Sequence, residues 1–584
     1  LLLKKILAII FIAFLYSSTY AQYYLRGEIR DEKNNSLSNV KILLHSTEYI
    51  YYSGDAGAFG IPVSKSTDSI TVSSDGFQEI SLRVDATKYQ YITLKSLHPL
   101  PVAEKKTLLS TIKNLKPEDR NSWSVADETY SSLVENDFVG ASKFPETGFA
   151  INANKASYSN IRRFINMGTI VPPDAVRIEE MLNYFNFNYT YPLPDSTFSF
   201  SSYLSQCPWN ENNQLLFLNI CAAKINLEDV PPANLVFLID VSGSMDLPNR
   251  LPLLKSAFRL LVNNLRQTDT VSIVVYGSTV GLWMPPTSGD KKTEILKAIE
   301  DLNPGGPTPG EAGIHAAYQV AKNQFIRGGN NRVILATDGD FNVGQTTEEE
   351  LEKLIVLHKQ WGIYLTCLGV GMGNYKDSKL QMLAERGSGN FAYIDNEKEA
   401  EKVLMQEFTQ TIYAVADDAY LNINFDTTLV KQYRLIGFDN KWSALKDSSN
   451  GLLGGEIGSG NSSVAMFEIT PVNNNWDSIS ELKKKFAEVK ISYRLPGDSI
   501  TLNSSFDCLY YNTNFDHLPT SLRFASSVAM FGGLLRKSKY MRHISWNDLI
   551  EQSQKTCDPQ DNMQKEFVTL VVKAKKIYRK EKRR

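Results

Sequence analysis

Apolar and polar positions along this chain change period several times, and the changes mark out its parts. From Tyr23 to Leu97, short β-rich runs (KILLH, YIYYS, FGIPV, SITVS, YITLK) are separated by turn-forming stretches such as DEKNNS, DAGAFG and SSDGF. Strand-length runs punctuated by Gly, Asn and Asp predict a small β-sandwich over residues 22–98. Residues 99–140 are polar and weakly periodic, which predicts a linker with room for one helix. Within residues 141–232, Ile161, Phe164 and Ile165, then Val176, Met181, Leu182 and Phe185, fall at helical spacing on either side of Pro172-Pro173. Two amphipathic helices follow from that spacing, and Phe198 to Ala222 reads as strand.

Residues 233–413 carry a different rhythm. Apolar runs of strand length recur at Leu235–Ile239, Val271–Gly277, Val333–Thr337, Tyr364–Val370 and Phe391–Ile394. Between them lie helical patterns, the clearest with Leu251, Leu254, Phe258, Leu261, Val262 and Leu265 on one face, and others at Glu311–Phe325 and Glu348–Trp361. Near-continuous apolar strands alternating with helices predict a parallel sheet covered on both faces, a doubly wound, Rossmann-like α/β domain. In residues 414–584, LNINF, SVAMFEI and AEVKISYRL read as strands and LRFASSVAMFGGLLR and KEFVTLVVKAKKI as helices, giving a mixed α+β C-terminal domain. The fold class is therefore multidomain α/β.

Composition narrows the picture. A formal net charge of −2 over 584 residues offers no global field for a polyanion, so nucleic acid is not an expected partner. Residues 1–21 run from Lys4-Lys5 through an apolar stretch to Thr19-Tyr20-Ala21, the layout of a signal peptide, cleaved or kept as an anchor. Export to the periplasm or cell surface is the expectation, with no transmembrane span in the mature chain and envelope association through a partner. Five cysteines make no disulfide framework; Cys207 and Cys221 are the one plausible local pair, and Cys367, inside YLTCLGV, reads as a buried apolar residue.

The candidate chemistry sits at strand ends, where open α/β sheets bind ligands. Directly after Leu235–Ile239 comes Asp240-Val-Ser242-Gly-Ser244-Met245: one carboxylate and two hydroxyls at alternating positions, with Gly243 permitting a tight backbone. Hard oxygens of this kind suit Mg²⁺ or Ca²⁺, and Mg²⁺ keeps several waters and needs only one or two carboxylates. Alone, the motif also reads as a serine-rich turn whose Asp caps the next helix. Two further strand-end loops add to it: a Gly/Pro loop, Asn303 to Gly310, offering Thr308, and Asp338, directly after Val333–Thr337.

These residues resemble the von Willebrand factor A family and its metal-ion-dependent adhesion site. The resemblance implies Asp240, Ser242, Ser244 and Thr308 as ligands of Mg²⁺ (or Ca²⁺ or Mn²⁺), with Asp338 acting through water. ASYSNIRRFIN, PPDAVRIEEMLNYF, LATDGDFNVG and FASSVAMFGGLLR extend the likeness over residues 149–577, to an exported bacterial subgroup with segments flanking the A-type domain. Ala150-Ile-Asn152-Ala-Asn154 stands where that subgroup carries an acidic stretch, which puts any contact made by those carboxylates in doubt. Gly27, Asp31, Val40, Asp55-Ala-Gly57-x-Phe59 and Gly76-Phe77 resemble a carboxypeptidase regulatory-like domain, which implies a docking module without peptidase activity.

A divalent ion held by one carboxylate and neutral hydroxyls keeps positive charge and an exchangeable position, which an Asp or Glu of a partner protein could fill. The expected function is metal-dependent protein binding, with no enzymatic activity. A structural subunit with a vestigial site, or a hydrolase using the metal as Lewis acid, are the alternatives. HExxH and GxSxG are missing, and His315 reads as a packed or surface residue. Asp338-Gly-Asp340-Phe-Asn342 with Glu349 spaces oxygens like a calcium loop, but Val343 stands where such a loop turns on glycine. Gly369-Val-Gly371-Met-Gly373 reads as a strand-to-helix turn, and the basic tail Lys573–Arg584 as a solvated helix end or a contact for an anionic surface.

Overall fold

The computed structural model describes residues 23–581 except 33, 55, 75, 98–127, 129, 131–132, 152–153, 188, 227, 229, 278–279, 307–309, 340–347, 373–374, 408–409, 411–412, 439–454, 473–483, 499 and 511. Residues 1–21, with the signal-peptide pattern, lie outside the described residues, as do Thr308 and most of the calcium-loop spacing.

The central domain is a six-stranded sheet ordered Gly281–Ser288, Thr270–Tyr276, Ala233–Asp240, Asn330–Thr337, Ile363–Gly369, Phe391–Tyr393. All neighbours are parallel except the first pair: Gly281–Ser288 returns antiparallel to Thr270–Tyr276. The expected parallel sheet thus gains an antiparallel edge strand, whose Trp283, Pro285 and Pro286 break the apolar run by which buried strands are recognised. Strand Ala233–Asp240 is buried along its whole length, and its alternate residues feed two cores. Leu235, Phe237 and Ile239 pack with Leu254, Phe258 and Leu261 of the helix Leu251–Asn263. Val236 and Leu238 face Ile314, Ala317 and Tyr318 of the helix Gly310–Asn323, together with Leu351, Ile355 and Leu380. Helices on both faces make the domain doubly wound.

The N-terminal strands form two sheets, one of three and one of four strands, with a shared core that includes Leu25, Ile42, Phe59 and Val72. That core runs on into the central domain. Tyr52 bridges to Val280, and a β-carbon on Gly281 would lie 2.9 Å from the Tyr51 ring, so the glycine lets the two units close on each other.

The segments on either side of the central domain, set down separately from the sequence, are joined in space. A six-stranded sheet takes Phe198–Cys207 and Asn210–Ala222 from one side and Val430–Ile436 and Ser462–Pro471 from the other. A second sheet pairs Glu146–Ala150 with Ala414–Phe425. The strand Asn210–Ala222 lies between two layers: Leu216, Leu218 and Ile220 face the second sheet, and Leu215 and Phe217 face the helices with Phe164, Met181, Phe524 and Phe567. The central domain is therefore an insertion in a composite sandwich. Such long-range pairing leaves no periodic mark in either segment alone.

The expected linker also ends inside this body. Asn136 donates to the carbonyls of Leu435 and Gly437, Val139 and Gly140 pair with the strand Val430–Ile436, and Glu128 grips Arg163 through both oxygens at 2.7 Å. The predicted helices appear as Ala156–Asn166 and Ile178–Asn183. They are buried on nearly every face, because partner carboxylates meet their charged sides: Arg162 bonds Asp395 and Glu399, and Arg177 bonds Glu180 and Asp377. Cys207 and Cys221 are free, since they stand at opposite ends of one hairpin, where Cys207 faces Asn210 and Cys221 faces Ser199. Cys367 is fully buried, and burial pushes its thiol pKa up.

Candidate functional site

The strand Ala233–Asp240 is followed in sequence by a neighbour on one side and in space by Asn330–Thr337 on the other, so a topological switch point lies between them. Crevices form at such points because the connecting loops diverge. Asp240 and Asp338 stand at the carboxyl ends of these two adjacent strands, both buried. The turn after Asp240 is closed by its own side chain, whose Oδ1 accepts the Ser242 backbone N–H at 2.9 Å. This brings the Ser242 and Ser244 hydroxyls to 3.0 Å from one another, with Ser242 buried and Ser244 exposed at the mouth.

The second loop is drawn to the first by backbone bonds. Gly243 donates to Gly306 at 2.9 Å and Gly305 donates to Val241 at 2.7 Å, which fixes the chain two residues short of Thr308. Thr308 itself falls outside the described residues. Gly243 has no positive φ, and a β-carbon there would make ordinary contact, 3.6 Å from the Gly306 carbonyl. The tight backbone expected at Gly243 is instead at Gly277, where a β-carbon would sit 2.8 Å from the Val241 carbonyl oxygen.

Two groups around the crevice escaped the sequence reading. Thr337 donates its hydroxyl to Asp240 Oδ2 at 2.8 Å. Arg250 places Nη1 2.6 Å from Asp338 Oδ2 and 2.7 Å from the Ser244 carbonyl, and its Nη2 2.9 Å from the Met372 carbonyl, tying three loops together. A signal for Arg250 was present: it precedes the helix Leu251–Asn263, where a cation opposes the helix dipole and needs another reason to be there. Gly369 and Gly371 of the glycine-rich turn serve the same arrangement. Gly371, at φ +79°, leaves room that a β-carbon would take from Arg250, 2.7 Å from its Nε. Gly369 similarly admits the Tyr375 hydroxyl.

Burial pushes the Asp240 carboxyl up to about 7, Asp338 adds repulsion, and the bonds from Ser242 and Thr337 only partly oppose this. Two buried acids facing one crevice create demand for positive charge, and Arg250 meets it at Asp338 alone. No cluster of three or more His, Cys, Asp or Glu suited to a metal exists among the described residues. The donor set here is of another kind: one carboxylate with hydroxyls, which fits a hard cation that retains water. His315 is exposed on the helix Gly310–Asn323.

Comparison with known proteins bears on what this crevice belongs to. Residues 234–409 match the profile described as von Willebrand factor type A domain, residues 124–217 one described as von Willebrand factor, and residues 410–577 one described as "Uncharacterized protein YfbK, C-terminal". The protein YfbK of Escherichia coli (strain K12) is 35% identical over 468 residues, covering 76% of this chain and 80% of that protein. The chain belongs to the YfbK family. As a family member it carries a von Willebrand factor A domain between flanking segments. Inter-alpha-trypsin inhibitor heavy chain H2 of Mus musculus is 31% identical over 154 residues, 25% of this chain and 16% of that protein. A von Willebrand factor type A structure from Catenulispora acidiphila aligns at 15% identity and TM-score 0.38, over 66% of this chain and 99% of that chain. Domains of this type mediate protein–protein contact, so the family membership marks an interaction module.

Proposed function

We propose that the chain is a divalent-metal-dependent protein-binding module of the cell envelope. In this reading Asp240, Ser242, Ser244 and Thr308 hold Mg²⁺ (or Ca²⁺ or Mn²⁺), Asp338 acts through water, and a partner protein presents an Asp or Glu to the ion. The supporting observation is the arrangement of side chains at these strand ends: a buried carboxylate pushed towards neutrality beside a second one, with the buried Ser242 hydroxyl 3.0 Å from that of the exposed Ser244. A divalent ion would offset that buried charge and attract an acidic side chain. Because Arg250 cancels Asp338, the ion and Asp240 together retain net positive charge for a partner to meet. The basic and then apolar N-terminal residues support export.

The test is capture from envelope extract by wild type and Asp240→Ala, each with Mg²⁺ and with chelator. Proteins retained only by wild type with Mg²⁺ support the reading; identical capture in all four samples refutes it. One observation favours a second reading. The Arg250–Asp338 pair already supplies a positive charge, as expected of a structural subunit whose metal site is vestigial. That reading expects the same melting temperature with Mg²⁺ and with chelator.

A further inference from the structure

The C-terminal helices enclose a groove remote in sequence from the metal-site residues. The helix Thr520–Arg536 ends at Lys537, the chain turns into the helix Trp546–Thr556, and the helix Asn562–Glu581 passes this turn at Tyr578 and Arg579. They leave an open groove of about 900 Å³. Its floor is apolar, with Met541, Ile544 and Trp546, the indole held against Tyr578 at 5.4 Å between ring centres. Its rim carries the cations Lys537, Arg542 and Arg579, with His543 beside them, and no carboxylate among the described residues lines it. The Asp548 carboxylate, at the start of the next helix, is engaged by the Ser545 backbone N–H at 2.8 Å. Arg542 and Arg579 are exposed and form no ion pair with the described residues.

Two further features bear on the ligand. Lys537 sits at φ 57°, a left-handed helix-ending position that favours glycine, so its side chain is kept against backbone preference. The positive charge also continues beyond the groove: Lys575 and Lys576 share a helical face with Arg579, in a chain of net charge −2. Basic charge spread past one pocket, around an apolar floor with a half-buried tryptophan, matches an extended anionic surface with hydrocarbon beneath it better than a single small anion.

We propose that this groove docks anionic phospholipid headgroups, the phosphate among Lys537, Arg542 and Arg579 and the glycerol carbons against Trp546. No helix among the described residues is long and apolar enough to cross a membrane. The docking is independent of the metal-site reading. The experiment is co-sedimentation of the full chain with phosphatidylcholine vesicles, with and without phosphatidylglycerol. Variants are Lys537→Gly alone, which relieves the backbone, and the triple Lys537→Gly, Arg542→Ala, Arg579→Ala. Binding should require phosphatidylglycerol and weaken about fivefold per basic residue removed, on the order of a hundredfold for three. Lys537→Gly should lose affinity without a lower melting temperature, which separates docking from folding. Equal or absent binding to both vesicles, or unchanged affinity in Lys537→Gly and the triple variant, overturns the proposal. Displacement by inorganic phosphate but not by chloride at equal ionic strength would assign the groove to free phosphate and equally overturn it.

Discussion

Arg250→Met separates the two readings of the crevice. The guanidinium is buried and bonds one carboxylate and two carbonyls, at 2.6 to 2.9 Å, so methionine preserves much of the stem packing and removes only the charge and donors. Removing one partner of a buried pair costs about 3–5 kcal/mol, because the remaining charge is left without compensation. The low end applies here, about 3 kcal/mol, since the crevice opens to solvent at Ser244. For a unit the size of residues 233–413 this amounts to roughly 6–12 °C in melting temperature. A cation present at a hundredfold its dissociation constant stabilises by about 2.7 kcal/mol. If the ion binds beside Asp240, it takes over from the guanidinium opposite Asp338, and the metal-induced rise should be larger in Arg250→Met than in wild type. Differential scanning calorimetry with Mg²⁺ and with chelator measures both numbers. A loss below about 1 kcal/mol in chelator would remove the role given to the ion pair. A metal-induced rise no larger than that of wild type would remove the ion from this crevice.

Three other outcomes follow from the structure. His358 is stacked on Tyr318, with ring centres 4.1 Å apart, and burial with Lys322 and His315 nearby lowers its pKa from 6.5 to about 4. The unfolded chain then takes up a proton that the folded one refuses, so stability should fall by about 2 kcal/mol as pH drops from 6.5 towards 4, and His358→Phe should flatten that part of a urea-denaturation profile. Gly281→Val should push the N-terminal sandwich off the Tyr51 contact at a cost of about 1–3 kcal/mol, read as faster proteolytic release of residues 23–97, while a release rate equal to wild type would deny that contact its role. Glu456→Ala should cost about 3 kcal/mol, since among the described residues Arg332 would keep a side-chain bond to Thr366 at 2.8 Å and the charge of nearby Asp417 in place of its ion pair; the double change Arg332→Met with Glu456→Leu should come back to within about 1 kcal/mol of wild type in urea denaturation.

Local pattern alone determined much of this protein. The apolar runs at Leu235–Ile239 and Val333–Thr337, with the helical face from Leu251 to Leu265, were enough for a doubly wound domain and for placing Asp240 and Asp338 at strand ends, because side-chain periodicity is a property of consecutive residues. Strand Gly281–Ser288 was not legible, since an edge strand needs only one buried face and tolerates proline. The union of Glu146–Ala150 with Ala414–Phe425, and of Asn210–Ala222 with Ser462–Pro471, was decided by the tertiary structure, since pairing between segments about two hundred or more residues apart depends on complementary faces that neither segment reveals. The same holds at the crevice. The carboxylate and hydroxyls of Asp240, Ser242 and Ser244 lie in one turn and could be read directly; Arg250 became part of the site only when folding set it between Asp338 and Met372, where three loops meet over a gap left by Gly371.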